Sequence, residues 1–161
     1  LVDLNKALSY EKYMESSTKE QLEIYNKTFI SDENIVKLKK LDENINVIAF
    51  SEGYCPDCNV SLPMLKRFQE INSKILIYIF KRVGNEKFLE ENLGEARIPT
   101  FMFFDKDMKA LGVYVEFPKE LKERIISEKI DEKKKLIEDY RQGKYNLLIE
   151  EEFLDIIFSN R

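Results

Sequence analysis

Both cysteines of this chain stand three residues apart in Gly53-Tyr54-Cys55-Pro56-Asp57-Cys58, where the hydrophobic pattern changes period. Asn46 to Ser51 (N-V-I-A-F-S) reads as a strand, and Val60, Leu62, Leu65 and Phe68 continue as a helix. A chain that passes from strand to helix inside a C-x-x-C places its first sulfur at a helix N-terminus. Unpaired N–H groups and the positive end of the helix dipole stabilise an anion there, and cysteines so placed have pKa values of roughly 3.5–7.5. The pair therefore reads as a redox centre, with Cys55 the candidate nucleophile and Cys58 the resolving thiol. Pro56 is expected at the first helical position, which leaves the N–H groups of Asp57 and Cys58 to serve the thiolate. The Asp57 carboxylate opposes that effect at short range, and sequence does not rank the two.

Composition removes most other chemistries. The chain has no histidine, which excludes Ser-His and Cys-His catalysis and the commonest ligands of catalytic zinc. A mononuclear Cys₄ or Cys₂His₂ site is impossible within one chain. Two thiolates with carboxylates, or four thiolates shared by two chains, are the arrangements left open, and no metal is expected. A net charge of −4 with interleaved signs argues against a nucleic-acid footprint. There is no apolar run long enough to span a bilayer, and the first fifteen residues carry charges throughout, unlike a signal peptide. Two neighbouring cysteines do not make a secreted disulfide scaffold, so the cytoplasm is the expected compartment.

Elsewhere, Leu1 to about Leu41 reads as helical, with Leu4, Ala7 and Leu8 at helical steps, a break near Ser16-Ser17, a capping box from Thr18 to Gln21 and a further start at Ser31. Pro63 falls inside the helix after the cysteines and is expected to kink it. Lys74 to Lys81 (K-I-L-I-Y-I-F-K) reads as a strand buried on both faces. Asn85 is expected to cap a short helix ending near Gly94. Phe101 to Phe104 and Leu111 to Val115 read as a hairpin. Pro118 to Gln142 reads as one long amphipathic helix, with Glu120–Arg124 and Asp131–Lys135 spaced for pairing; a last helix follows Gly143. Two sequons, at Asn26 and Asn59, are read as chance.

The order strand, C-x-x-C, helix with proline, strand, helix, I-P-T, hairpin, helix resembles the thioredoxin superfamily. Cys55-Pro56-Asp57-Cys58 matches its redox motif, Pro63 its kinking proline five residues beyond, and Ile98-Pro99-Thr100 its cis-proline segment at the family's separation from the first cysteine. The resemblance implies an α/β thioredoxin-like fold, a central mixed sheet flanked by helices, with extra N- and C-terminal helices. Residues 1–161 are then one domain: an N-terminal helical extension (1–45), a core with the redox motif (46–118) and C-terminal helices (119–161). It further implies a cis Ile98-Pro99 bond and a substrate site formed by Tyr54, Pro56, Asp57, Ile98 and Pro99.

Departures from the family pattern bear on mechanism. Ala49 stands where thioredoxins carry a buried aspartate that assists the second cysteine, and Glu52 and Asp57 are the acids near enough to substitute. The plainer roles are a solvated charge for Glu52 and a helix N-terminal acid for Asp57. Tyr54 replaces a tryptophan, and proline after the first cysteine is closer to glutaredoxins. The implied activity is thiol–disulfide exchange on protein disulfides, with an unidentified electron donor and no cofactor. The competing reading is a binding module that holds a partner beside Pro99 with idle or regulatory thiols. A peroxidase is disfavoured, because no activating threonine and arginine surround the cysteine.

Overall fold

A computed structural model describes residues 2–159. Its strands are β1 (Ile45–Phe50), β2 (Ile75–Phe80), β3 (Thr100–Phe104) and β4 (Ala110–Val115), joined in one mixed sheet of order β2-β1-β3-β4. All six residues of β1 are buried. Its one polar side chain, Asn46, is satisfied by donating to the Asp105 carbonyl at 3.1 Å. β1 runs parallel to β2, and the crossover between them is helix α4 (Cys58–Ile71). β1 runs antiparallel to β3, with Phe50 opposite Thr100. The end of β1 therefore lies beside the start of β3, which brings the cysteine segment and the Ile98-Pro99 segment to one rim. That peptide bond is cis. The hairpin of β3 and β4 forms as expected.

β2 departs from its expected burial. It is an edge strand whose Leu76 and Tyr78 are only half-buried, so its apolar run serves two unequal faces. The edge is partly covered by the N-terminal segment. Leu8 N–H donates to the Ile79 carbonyl at 2.8 Å, and Ile79 N–H donates back at 3.0 Å.

That bridge also breaks the helix expected from Leu1, a residue outside the described ones. Short 3₁₀ turns (Leu4–Lys6 and Met14–Ser16) flank a single-turn helix α1 (Tyr10–Tyr13). Leu4 and Ala7 pack with Ile48 and Phe50 on one side of the sheet, whereas Leu8 packs into the larger core on the other. Helical spacing thus arises from a segment rounding the sheet edge. Regular helix begins at α2 (Lys19–Lys27), where the expected capping box forms: Thr18 N–H donates to Gln21 Oε1 at 3.0 Å and Gln21 N–H to Thr18 Oγ1 at 3.2 Å. α3 (Asp32–Leu38) follows.

α5 (Glu86–Leu93) covers the smaller face through Leu89 and ends at Gly94, where φ is +83°. Asn85 occupies its N-cap position, but its amide donates back to the Lys81 carbonyl. The long helix expected over 118–142 is two, α6 (Lys119–Ser127) and α7 (Ile130–Arg141). Its apolar stripe lapses at Glu128-Lys129, where unbroken helix would turn charge inward, and Glu128 is extended instead. Lys135 pairs with Asp139 rather than Asp131, and Arg124 lies over the Tyr145 ring. α8 (Asn146–Ile157) carries Phe153 into the larger core, against Phe68, Phe101, Phe103 and Tyr114 at centroid distances of 5.2–5.8 Å. Among the described residues no helix is long and apolar enough to cross a membrane.

One carboxylate joins the two ends of the chain. Oε1 of buried Glu150, on α8, accepts from Ser31 N–H (2.8 Å), Ser31 Oγ (3.0 Å) and Asn34 Nδ2 (3.0 Å) at the start of α3. Glu150→Ala strands these donors and is expected to cost about 1–3 kcal/mol in urea unfolding, with Glu150→Gln, which keeps an acceptor oxygen, losing distinctly less. Equal midpoints for the alanine variant and the parent protein would refute the tie.

Candidate functional site

Beyond β1 the chain stays buried at Ser51 and Glu52, turns through Gly53 and Tyr54, and reaches Cys55 at the surface. The α-helix starts at Cys58, and Pro56 and Asp57 form a turn instead of its first residues. Cys55 still behaves as a cap, since its carbonyl accepts from Asn59 N–H at 3.2 Å. The next two N–H groups, Val60 and Ser61, both converge on the Asp57 carbonyl, so the ladder is regular only from Cys58. Pro63 lies inside α4. The helical extension supports the turn from behind. Gln21 Nε2 donates to Asn59 Oδ1 (3.3 Å), and Asn59 Nδ2 donates to the Gly53 carbonyl (3.0 Å). A Cβ at Gly53 would stand 3.3 Å from Gln21 Nε2, so this close approach uses the missing side chain.

The two sulfurs differ sharply. Both are free thiols; Cys55 is partly exposed and Cys58 fully buried. Cys55 is lowered to about 7, first by the hydrogen bond from the Cys58 side chain and then by Cys58 N–H, which donates to Cys55 Sγ at 3.2 Å; Asp57 N–H adds a smaller push. Burial and the Asp57 charge work against the shift but do not cancel it. The competition left open by sequence is decided for the thiolate. Cys58 moves the other way, raised well above the ordinary thiol range by burial and then by Cys55.

Asp57 is restrained by a partner with no local sequence signal. Arg141, the last residue of α7, donates from Nε to Asp57 Oδ1 (2.9 Å) and from Nη2 to Oδ2 (3.2 Å), a bidentate pair that offsets the carboxylate beside Cys55. Asp57 stands at the N-cap position of α4, as expected of a helix N-terminal acid, but its side chain makes no capping bond there and is held by Arg141 instead. Nor is Glu52 a solvated charge. It is buried, its Oε2 accepts from the N–H groups of Arg82 (3.1 Å) and Val83 (3.2 Å), and Lys81 lies 3.7 Å from Oε1. Glu52 thus closes the turn after β2.

A cleft of about 330 Å³ opens beside Cys55, with Tyr54, Pro56 and Ile98 on its walls. Cys55 Sγ is 3.9 Å from the Ile98 carbonyl oxygen. Asp57 and Pro99 are buried and do not line the cleft; Pro99 instead fixes the adjoining backbone, its carbonyl accepting from Glu116 N–H at 2.9 Å. Arg82 donates to the Tyr54 hydroxyl at 2.9 Å. Arg97 shares the cleft, but its charge is taken up by Glu116 and Glu95. Sequence reading missed Arg82, Arg141 and Gln21, because each reaches the motif across the fold. Among the described residues, no group of three or more Cys, Asp or Glu is placed to hold a metal.

The sequence model of a family described as thioredoxin matches residues 5–135. Among solved structures, a Pseudomonas aeruginosa protein of unknown function superposes with a TM-score of 0.82 at 17% identity, over 98% of this chain and 96% of its own. An HIV epitope scaffold gives a TM-score of 0.80 at 17% identity, over 98% and 96%. These likenesses are of fold. No curated protein matches the chain.

Iodoacetamide alkylation of Cys55 in the reduced protein should rise with pH and inflect near 7. Asp57→Asn removes an opposing charge and frees the Arg141 cation, so its inflection should fall. Arg141→Met leaves Asp57 unmasked, so its inflection should rise. If both variants inflect where the parent does, the ion pair has no influence on the thiolate.

Proposed function

Because the chain belongs to the thioredoxin family, we propose that it is a thiol–disulfide oxidoreductase that reduces protein disulfides through Cys55 and Cys58. The observation that carries the reading is the contrast between two adjacent sulfurs, one partly exposed and lowered to about 7, the other buried and held protonated. The Cys55 thiolate attacks one sulfur of a substrate disulfide. A Cys55–substrate bond forms, the substrate's S–S bond breaks, and its second sulfur departs as a thiolate that takes a proton from water. Cys58 then loses its proton and attacks Cys55 Sγ. The intramolecular disulfide forms as the mixed disulfide breaks, and the substrate leaves with both sulfurs reduced. An external dithiol donor, not yet identified, returns the pair to the thiol state.

The substrate enters the cleft beside Cys55. An extended segment lies against the main chain at Ile98, with Tyr54 and Pro56 as apolar walls, giving recognition tolerant of side-chain sequence. Pro99 and Asp57 serve from behind, Pro99 by setting the course of the Ile98 backbone and Asp57 by anchoring Arg141 under the turn. Neither nucleic acid nor membrane enters this reading, and a cytoplasmic setting, where thiols are kept reduced, suits it.

Cys58→Ser lacks the resolving sulfur and should accumulate mixed disulfides at Cys55, whereas Cys55→Ser should trap none, because Cys58 is buried. Non-reducing electrophoresis with mass spectrometry of the adducts reads this directly. Equal trapping by Cys55→Ser would reverse the assignment of roles.

A further inference from the structure

Cys58 must become a thiolate to resolve the mixed disulfide, yet it sits in a fully buried place that disfavours charge. Among the groups that act on its sulfur are Cys55, the Glu52 main chain and the Ser51 side chain. Ala49, the preceding inward residue of β1, offers only a methyl group. Ser51 is itself fully buried, with its main-chain N–H committed to the Phe80 carbonyl at 3.0 Å, so its hydroxyl is the polar handle that remains. That hydroxyl is 2.9 Å from the Tyr13 hydroxyl, contributed by α1 of the N-terminal extension.

Building on the proposed exchange reaction, we propose that Ser51 and Tyr13 form a two-hydroxyl donor chain that stabilises the Cys58 thiolate during resolution: Tyr13 donates to Ser51, and Ser51 donates to Cys58 Sγ. In the proposed donor chain Ser51 is the catalytic member, whose hydroxyl meets the reacting sulfur, and Tyr13, 2.9 Å from that hydroxyl, is a positioning residue that orients and polarises it. The Cys58 proton passes to solvent, neither hydroxyl is consumed, and the only bonds exchanged are the two disulfides. Tyr13 is suited to hold its proton, since burial raises its phenol well above the ordinary value. The direction of both bonds is set by charge, because a thiolate accepts and does not donate. The titratable groups facing Cys58 are Cys55 beside it, Tyr13 from α1 and Tyr140 from α7. Asp57 is held by Arg141, while Lys81, whose ammonium lies 4.8 Å from the Tyr13 ring centroid, reaches Glu52.

The probe is 5,5′-dithiobis(2-nitrobenzoate), added to the reduced full chain and followed at the thionitrobenzoate band by stopped flow. The first release reports attack by Cys55, and the second reports resolution by Cys58. Tyr13→Phe and Ser51→Ala should leave the first phase within about twofold of the parent and slow the second about tenfold or more at pH 7, the scale of losing a hydrogen bond to a charged group. The pH at which the second phase accelerates should move upward in both variants. Ser51→Thr keeps the hydroxyl and should retain the parent's second phase, which separates chemistry from packing. Second phases equal to the parent at every pH, or both phases slowed alike, would overturn the donor chain while leaving the exchange reaction intact. A parent protein that releases only one thionitrobenzoate would overturn the exchange reading itself, and the donor chain with it.

Discussion

Strand β1 is enclosed on both faces and paired on both edges, and the placement of the two sulfurs follows from that enclosure. A strand with no solvent face must end before the chain can reach water, and it ends at the residues that turn outward to Cys55. The parallel partner β2 requires a crossover helix, so the chain cannot simply leave; it turns back into α4 and carries Cys58 inward. The antiparallel partner β3 begins beside the same end and delivers Ile98 and Pro99. Partly exposed first thiol, buried second thiol and adjoining cleft are thus three consequences of one strand's pairing.

The electrostatics are built onto that frame from a distance. The second thiol and then nearby backbone favour the Cys55 anion, and burial and then Asp57 oppose them. Arg141 reaches in from the end of α7 and takes up the Asp57 carboxylate, so a residue that would otherwise weigh fully on the Cys55 thiolate becomes an anchor for the C-terminal helices. On the opposite side, α1 and α2 bring Tyr13 and Gln21 against the inner surface of the turn. The terminal helices therefore reach the cysteine turn as well as the core. Glu150 ties their two ends together.

Legibility in the sequence followed the range of the forces involved. The C-x-x-C, the capping box at Thr18, the hairpin and the α8 stripe are local, and each was readable from a few adjacent residues. The N-terminal stretch reads as helix in sequence because Leu4, Ala7 and Leu8 have helical spacing, although they serve opposite faces of the sheet. The 118–142 segment reads as one helix in sequence because good helix formers continue through the lapse at Glu128-Lys129, where the structure divides it in two. β2 reads as buried on both faces because an apolar run does not distinguish a fully buried strand from an edge strand partly covered by another segment. In the site, the sulfurs and the Ile98-Pro99 segment were legible. Arg141, Arg82 and Tyr13 were not, since their partners lie far along the chain and only the assembled fold brings them near.

The proposed exchange requires the two thiols to act as one two-electron couple. Equilibrating the protein in glutathione buffers of stepped ratio, quenching with an alkylating agent and counting free thiols by mass tests this directly. Cys55 and Cys58 should disappear together in a single transition, with no stable glutathione adduct, because Cys58 resolves any adduct formed on Cys55. A persistent glutathione adduct on Cys55 beside a free Cys58, at ratios where a dithiol would close, would contradict it.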